Sequence, residues 1–396
     1  MLLKRGSMSH KSIIEAIIYS NPDHYPPIIN SVCLLARYGF QIDIRSRAYD
    51  GVIPRAPITY PPSVTVCRIV PRSEVGWQEY LSFIKQVVFT VDKSACIVIG
   101  HDMHGFLPAK LLAMRLRRPL IYHCHDYVER NAKVSFGGRM ARAFEQRFAR
   151  TADLVIVPDA DRAKVMKQEL RLAKEPVIAA NAPLSSVPRC KAVMADALAK
   201  QGKSFERIVL RQGRIGEGHA IEVTLQSIKH WKNKNWGFVL LGPSEPAYLD
   251  KIIDMARSLG VEEQFAVLPP VRYDQVALYT AGADVGHGLY EPIHINNVHI
   301  TTASNKLMEY IAAGLPMLVS ENPSLRSFVE THQCGLIANE TSPTSIAIAV
   351  NSLLSNEEEM NRMGLAGKKI FEEIYCYERQ FAPILEQIYA LARRAT

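Results

Sequence analysis

The sequence predicts an α/β protein of two domains, each built on a parallel sheet. A chain of 396 residues is too long for one ordinary core and suits two domains of roughly 150–200 residues. Short apolar runs alternate with amphipathic stretches, which is the pattern of βαβ units. Over Ala182–Ser204 the alternation gives way to prolines, serines and small residues before it resumes, so we place an interdomain linker there.

The first domain is predicted over residues 12–190. Its apolar runs predict strands at Ile14–Tyr19, Phe40–Ser46, Val64–Val70, Ala95–Gly100, Leu120–His123, Leu154–Val157 and Val177–Ala179. Amphipathic spacing predicts helices between them at Pro27–Arg37, Val75–Val91, Phe106–Arg117 and Arg139–Arg150. The Pro-rich segment Ala48–Ser63 is predicted to be a loop.

The second domain is predicted over residues 191–375, after a helix at Ala192–Lys200. Its strands are predicted at Ile208–Gln212, Trp236–Leu241, Phe265–Leu268, Ala283–His287, Pro316–Val319 and Gly335–Ala338. Its helices are predicted at His219–Lys229, Pro246–Leu259, Tyr273–Ala281, Ser304–Ala313, Pro323–Thr331, Ser342–Leu354 and Glu357–Ile374. A last helix within residues 376–396 is expected to cross back onto the first domain.

Composition excludes several classes of protein. Apolar residues make up 48% of the chain and charged residues 22%, which is typical of a globular protein. The longest apolar runs, such as Ala95–Gly100, are too short to span a bilayer, and no secretory signal is visible. The seven cysteines are scattered and never in C-x-x-C spacing, which indicates reduced thiols of a cytosolic protein. Residues 1–11 are expected to be a frayed tail.

Charge is divided unevenly along the chain. Residues 1–200 carry 29 Lys and Arg against 17 Asp and Glu, and residues 201–396 carry 18 against 22. A basic half indicates an anionic partner, but no nucleic-acid-binding motif is present, so we expect no nucleic acid. Within Gly138–Arg150, one helix face would carry Arg139, Arg142, Gln146 and Arg150. That face suits an anionic membrane surface, and it equally suits an ordinary solvated helix.

The stretch Gly286–Ser320 carries the strongest chemical pattern. A strand leads into a polar loop, and Ser304 or Asn305 then caps a helix that carries Glu309 and ends at Gly314. Free amides at a helix start attract phosphate oxygens, and a carboxylate one turn inside can accept two ribose hydroxyls. Ligands of open α/β sheets bind beyond the carboxyl ends of strands, where this loop lies. An ordinary solvated Glu is the competing interpretation.

Two further patterns are weaker. Residues Leu210–Glu222 (LRQGRIGEGHAIE) pass from a strand through a Gly-rich turn at Gly213 into a helix, a geometry that also binds phosphate. The pairs His101-Asp102 and His125-Asp126 each follow a strand, where they could face a ligand or stabilise a loop. His104 is a lesser candidate.

The residues 304–316, SNKLMEYIAAGLP, resemble the donor-binding signature of retaining glycosyltransferases of family 4, in the branch with an N-K-x-x-E-Y core. The resemblance covers about residues 12–375 and implies the GT-B fold, with two Rossmann-like domains facing a central cleft. It implies that Glu309 holds the ribose of a nucleotide sugar, and that Thr302–Ser304 offer amides to the diphosphate. Asn305 and Lys306 belong to the same motif.

The chain departs from the family pattern at three places. Thr301 stands where the usual E-x7-E pair has its first Glu. We therefore predict that Asn296 and Asn297 contact the donor sugar in its place. The Gly-rich turn normally brings an Arg and a Lys to the phosphates; Gly213 is followed by Arg214, but the Lys position is His219. No glycine-rich loop follows the first strand, so acceptor binding there must differ.

The resemblance also assigns the chemistry. His125 and Asp126 would face the reacting sugar and acceptor, and with Arg214 they form the expected catalytic set. A front-face retaining transfer needs no protein nucleophile, and we expect no cofactor and no metal. The segment Asp159-Ala160-Asp161 is interpreted as the start of a helix, not as a metal-binding D-x-D motif.

The expected protein is therefore a retaining glycosyltransferase that moves a sugar from a nucleotide-sugar donor to a hydroxyl of a glycan or lipid-linked acceptor, in assembly of a surface polysaccharide. We expect it in the cytoplasm, peripheral to the inner face of the membrane. Two alternatives remain: a sugar-nucleotide epimerase of the same fold, and a degenerate partner subunit that binds nucleotide sugar without turnover. Thr301 and His219 support the second alternative.

Overall fold

The computed structural model describes residues 12–48, 58–70, 76–91, 94–129 and 132–395. The predicted tail over residues 1–11, residues 49–57 of the predicted Pro-rich loop, and the predicted helix start at Val75 lie outside the described residues.

The chain forms two compact units. The first unit runs to Asn181 and also includes the last helix, from Tyr377 onward. The second unit runs from Ala182 to Cys376. The sequence placed the boundary later, between residues 190 and 191, inside the segment without regular structure that precedes the first helix of the second unit.

A seven-stranded parallel sheet forms the centre of the first unit, in the order β3-β2-β1-β4-β5-β6-β7. Its strands are β1 Ile13–Ile18, β2 Gln41–Arg47, β3 Val64–Ile69, β4 Ala95–His101, β5 Leu120–His123, β6 Leu154–Val157 and β7 Val177–Ile178. Strand β4 is buried along its whole length, which explains its continuous apolar sequence. The helices are α1 Pro26–Arg37, α2 Gly76–Thr90, α3 Asp102–Leu116, α4 Phe136–Phe148 and α5 Ala160–Glu169.

A six-stranded parallel sheet forms the second unit, in the order β10-β9-β8-β11-β12-β13. Its strands are β8 Arg207–Gln212, β9 Trp236–Leu241, β10 Phe265–Leu268, β11 Val285–Gly288, β12 Met317–Ser320 and β13 Gly335–Ala338. Its helices are α6 Ala192–Ala199, α7 Ile221–Ser227, α8 Pro246–Leu259, α9 Tyr273–Thr280, α10 Ile295–Val298, α11 Asn305–Ala312, α12 Pro323–His332, α13 Pro343–Ser355 and α14 Glu357–Ile370.

The final helix, α15 (Tyr377–Ala395), follows a short π-helical turn and packs on α1 and β4 of the first unit. Its buried side chains include Phe381, Ile384 and Ile388. The hydroxyl of Tyr389 donates to the carbonyl of Tyr38 at 2.7 Å. Helix α15 therefore belongs to the hydrophobic core of the first unit, although it follows the second unit in the sequence.

The prediction of two Rossmann-like α/β units is confirmed, with most strand bounds within a residue or two. Four elements differ. Helix α4 spans Phe136–Phe148 and not Arg139–Arg150. Helix α3 begins at Asp102, directly after β4, and not at Phe106. Helix α7 begins at Ile221 and not at His219, and a short helix, α10, lies in what was predicted as polar loop. No helix in the described part of the chain combines the length and the apolar character needed to cross a membrane.

Candidate active site

Helix α11 starts with a side-chain cap. Ser304 has extended backbone angles, and its Oγ accepts from the amide of Leu307 at 3.4 Å. The same Oγ lies 2.7 Å from the hydroxyl of Tyr290, which follows β11. Ser304, one of the two predicted capping residues, is thus the cap, and Asn305 is the first helical residue. The helix dipole places partial positive charge at this end.

Glu309 lies one turn inside α11 and faces the end of β8. One carboxylate oxygen accepts from Nε2 of Gln212 at 2.5 Å, and Oε1 of Gln212 accepts in turn from the hydroxyl of Thr280 at 2.7 Å. Burial raises the pKa of Glu309 to about 7, although Gln212 and Lys306 oppose the shift. The carboxylate is half-buried, and Gln212 occupies only one of its acceptor positions.

Tyr310 holds α11 against the sheet. Its ring is fully buried, and its hydroxyl donates to the carbonyl of Leu210 at 3.0 Å and accepts from the amide of Gln212 at 3.2 Å. Because these two partners belong to β8, and a third, the carbonyl of His287 at 3.4 Å, belongs to β11, the neighbouring tyrosine fixes the orientation of Glu309 relative to the sheet.

Three cationic or titratable groups surround the ring of Tyr290. The guanidinium carbon of Arg211 lies 4.9 Å from the ring centroid, and Nζ of Lys306 lies 5.2 Å from it. The ring of His219 meets Tyr290 edge-on at 5.7 Å. Burial alone would raise the pKa of Tyr290, but Lys306 and Arg211 together lower it below its usual value. Gln212, Arg211 and Tyr290 were absent from the predicted site.

The Gly-rich turn after β8 depends on glycine at two places. Gly213 has φ +86°, and a Cβ there would lie 3.3 Å from Cε of Lys306. Gly218 has φ +81°, and its carbonyl accepts from the amide of Glu291 at 3.0 Å. Arg214, expected to contact phosphate, is exposed. This turn therefore brings Lys306 of α11 close to the end of β8.

His219 and α7 do not supply the positive charge expected of them. Burial, with Arg211 and Lys306 nearby, lowers the pKa of His219 far below its usual value, so its ring is neutral. The amide of Ala220, at the start of α7, donates to the carboxylate of Glu291 at 3.1 Å. The carboxylate of Glu291 thus already occupies the positively polarised end of α7.

The polar loop before α11 is held by its own contacts. Nδ2 of Asn297 donates to the carbonyls of Gly218 at 3.2 Å and Glu291 at 2.8 Å, so this amide joins two loops. The hydroxyl of Thr301 donates to Oγ of Ser324 at 3.0 Å. Thr302 is half-buried two residues before the cap.

In the first unit, Asp102 positions the loop that carries His125 and Asp126. Its Oδ1 accepts from the amide of His125 at 2.6 Å and from the amide of Asp126 at 3.1 Å. The Asp126 carboxylate is largely exposed and accepts from the hydroxyl of Tyr25 at 3.0 Å. Burial, reinforced by Asp126, raises the pKa of Asp102 to about 7.

His125 is fully buried in a group of three histidines. Its Nε2 lies 3.1 Å from Nδ1 of His101, and the two ring planes differ by 10°. The ring of His123 lies 4.0 Å from that of His125. Burial lowers the pKa of all three rings, that of His101 to about 3, so they are neutral near pH 7.

Each of these three histidines offers one ring nitrogen that could bind a metal ion, and the three nitrogens lie within 4.8 Å of one another. The contact between His101 and His125 uses one nitrogen of each ring, Nδ1 of His101 and Nε2 of His125, and leaves the second nitrogen of each ring outside that contact. Asp159, in the D-x-D segment, caps α5 by accepting from the amides of Asp161 and Arg162.

Helix α4 carries the predicted basic face. Arg139 is exposed on the helix, and Arg150 is exposed in the 3-10 turn Ala149–Thr151 that follows it. Arg142 instead turns inward, where its guanidinium donates to the carbonyls of Glu129 at 3.0 Å and Ala132 at 2.8 Å. The structure therefore leaves part of this face to solvent and uses part of it to hold the preceding loop.

Two family descriptions match the two units of this fold. Residues 196–370 match the model "Glycosyl transferases group 1", and residues 31–177 match "Glycosyl transferase 4-like domain". Each match lies on one of the two sheets. The two matches together show that the chain is a glycosyltransferase enzyme. No curated protein has a significantly similar sequence.

Solved structures share the fold over nearly the whole chain. Sucrose-phosphate synthase from Thermosynechococcus elongatus has a TM-score of 0.70 at 17% identity, covering 96% of this chain and 100% of that chain. Anabaena HepE in complex with UDP and glucose has a TM-score of 0.72 at 14% identity, with 96% and 100% covered. WaaG, a glycosyltransferase involved in lipopolysaccharide biosynthesis, has a TM-score of 0.66 at 14% identity, with 93% and 97% covered.

Proposed function

We propose that the protein is a retaining glycosyltransferase, of the branch with the N-K-x-x-E-Y core, that moves a sugar from a nucleotide-sugar donor to a hydroxyl of a glycan or lipid-linked acceptor. The observation that carries the proposal is the capped start of α11 with Glu309 half-buried one turn inside it. Free amides followed by a carboxylate at that spacing match a diphosphate joined to a ribose.

In the proposed complex, the diphosphate lies at the start of α11, where the amides near Thr302, Ser304 and Asn305 face it. Lys306 neutralises part of its charge, and Glu309 accepts from the ribose hydroxyls. As the bond to the sugar breaks, charge grows on the diphosphate, and groups already oriented toward it stabilise that charge without reorganisation. No metal and no cofactor takes part in this proposal.

His125 and Asp126 are proposed to orient the reacting sugar and the acceptor. His125 is neutral and held by its hydrogen bond to His101, so it serves as a fixed polar group and not as a strong base. Its backbone is fixed by Asp102. Orientation of two reactants is itself a large contribution to rate, since a misplacement of about 1 Å can cost roughly 100-fold.

The relatives support the kind of donor and product. HepE is described in complexes with UDP, with UDP and glucose, and with UDP-glucose, and WaaG acts in lipopolysaccharide biosynthesis. By analogy with these proteins, we propose a nucleotide sugar as donor and a surface polysaccharide as product.

A thermal-shift panel of UDP-, GDP-, ADP- and CMP-sugars tests the donor site. A sugar donor at a hundred-fold excess over its Kd should add about 2.7 kcal/mol of stability. Glu309→Ala should abolish most of that shift. Glu358→Ala, at an exposed glutamate of the same unit, is the matched control and should keep it. An unchanged shift in Glu309→Ala would place the nucleotide elsewhere.

A partner subunit that binds nucleotide sugar without turnover is the second candidate. The observation that favours it is that His219 stands where the sequence pattern expects a lysine, at a half-buried position where burial lowers the pKa of its ring. Slow release of nucleoside diphosphate from the stabilising donor, with or without acceptor, separates the two candidates. Complete absence of release, together with tight binding, would favour the partner subunit.

Location at the cytoplasmic face of a membrane is a further part of the proposal. The exposed Arg139 on α4 and the exposed Arg150 in the 3-10 turn after it support this location, together with the basic first half of the chain. The protein should float with phosphatidylglycerol vesicles at low salt, and the double variant Arg139→Glu, Arg150→Glu should not. Arg257→Glu, at an exposed arginine of the second unit, is the control. Equal flotation of the wild-type protein, the double variant and Arg257→Glu would contradict the proposed membrane location.

A further inference from the structure

Arg211 is a fully buried cation without an anionic partner. It lies in the middle of the second sheet, on β8, and its side chain has no exposed surface. One terminal nitrogen donates weakly to the carbonyls of His287 at 3.5 Å and Leu289 at 3.4 Å. The Nε and the other terminal nitrogen have no partner among the described residues. A buried charge is costly unless it is paired, so this arrangement calls for an anion.

The acidic side chains nearby are already engaged. Glu309 accepts from Gln212, and Glu291 accepts from the amide of Ala220. Neither forms an ion pair with Arg211 in the described part of the chain. The negative charge that would compensate Arg211 is therefore not supplied by these two carboxylates.

The guanidinium lies close to the start of α11. Tyr290 connects them, because its ring lies 4.9 Å from the guanidinium carbon of Arg211 while its hydroxyl lies 2.7 Å from Oγ of Ser304, the cap of α11. Lys306 adds a second cation at 5.2 Å from the same ring. Two positive charges and a helix start thus meet around one aromatic ring.

We propose that Arg211 and Lys306, grouped around Tyr290, form an anion-binding site that takes the diphosphate of the nucleotide sugar. This inference rests on the proposed function and deepens it. It assigns to Arg211 the positive charge that the sequence pattern placed on His219. Arg214 is exposed on the turn and is a lesser contributor.

The site explains why β8 carries a fully buried arginine directly after its apolar run Ile208–Leu210. A cation on a buried strand can be retained where it serves a ligand that is absent from the free protein. Binding of the diphosphate would supply the missing anion and offset the cost of burying Arg211. The apparent affinity for diphosphate therefore includes relief of that cost.

The test compares nucleoside diphosphates with nucleosides. Titration calorimetry with UDP, GDP and ADP identifies the one that wild-type protein binds, and its nucleoside is then measured in parallel. Arg211→Met should weaken the nucleoside diphosphate at least tenfold and leave the nucleoside within about twofold. Arg211→Lys, which keeps the charge, should retain most of the affinity. Arg257→Met, at an exposed arginine of the same unit paired with Asp254, is the control.

The outcomes separate this inference from the proposed function. If wild-type protein binds none of the three nucleoside diphosphates, the proposed function fails. If it binds one, and Arg211→Met binds both ligands as wild type does, only the Arg211 site fails. An equal loss for diphosphate and nucleoside would make Arg211 a structural residue and overturn the inference. Should Arg211→Met not fold, Arg211→Gln and Lys306→Met decide it by the same ratio.

Discussion

Asp102 has a strained backbone that two hydrogen bonds offset. Its φ of +54° is unusual for a residue other than glycine, and the left-handed conformation costs roughly 1–2 kcal/mol. The carboxylate accepts from the amides of His125 and Asp126. Aspartate tolerates this conformation better than most residues. Asp102 can therefore join β4 directly to α3 while its carboxylate holds the neighbouring loop.

Replacing Asp102 should separate these two effects. Asp102→Ala keeps the strain and leaves two amides without an acceptor, so we expect a loss of about 2–3 kcal/mol. Asp102→Asn keeps an acceptor oxygen and tolerates the left-handed conformation, so its cost should stay below about 1 kcal/mol. Calorimetric melting of the three proteins measures both. An alanine variant as stable as the asparagine variant would contradict the account.

Residues in a contiguous motif could be predicted, and residues brought in by the sheet could not. Glu309 and Ser304 follow from the order of cap, helix and glycine. Arg211 and Gln212 are adjacent on β8 and both buried, so no alternation marks either side chain. Their partners, Tyr290 and Glu309, are distant in sequence and become neighbours only through the strand order β8-β11-β12.

Helix α3 shows how an element can begin earlier than its sequence indicates. Pro108 favours a helix start near Phe106, yet the helix runs from Asp102 and contains the proline. Proline has no amide to donate to the carbonyl one turn earlier, that of His104. The hydroxyl of Tyr80, on α2, donates to this carbonyl at 2.8 Å and takes the place of the missing bond.

Tyr80→Phe tests this replacement. The ring would stay buried, but the His104 carbonyl would lose its donor, at a cost of about 1–3 kcal/mol. Tyr279→Phe, at a half-buried tyrosine of the other unit, is the control and should cost less. The comparison of melting temperatures measures the difference. Equal stability of Tyr80→Phe and wild type would show that the carbonyl finds water instead.

The docking of α15 should stabilise the first unit specifically. Ile384 is fully buried in this helix, and Ile384→Ala should cost about 2–5 kcal/mol. Hydrogen exchange should rise in β1, β4 and α1 and remain unchanged in the second sheet. Gln387→Ala, on the exposed face of α15, is the control. A rise in exchange confined to the second unit would contradict the assignment of α15.

At the scale of the molecule, two sets of buried groups oppose each other in their response to pH. Burial raises the pKa of Asp102, Glu145 and Glu309 to about 7, so protonation of these carboxyls favours the folded state as the pH falls toward their usual values. Burial lowers the pKa of five histidines well below the usual value, so below about pH 6.5 the unfolded state binds protons that the folded state does not; these are His101, His123, His125, His219 and His287.

The stability should therefore change little between pH 7 and 6 and fall below that. Between pH 7 and 6, proton uptake by the carboxyls of the folded state nearly balances proton uptake by the histidines of the unfolded state. Near pH 5 the unfolded histidines are fully charged while unfolded carboxyls begin to protonate, and the loss should be on the order of 1 kcal/mol per pH unit. Melting temperatures from pH 7.5 to 4.5 measure this. A steady rise in stability down to pH 5 would show that the carboxyls dominate.

The membership of α15 in the first unit has a consequence for synthesis on the ribosome. The second unit is complete once Cys376 has emerged, whereas the first unit still lacks the helix that closes its core until α15 has emerged as well. N-terminal domains usually fold first during translation. Here the second unit can fold while the first unit still exposes the apolar surface that α15 covers. Nascent chains stalled before Tyr377 should therefore recruit chaperones.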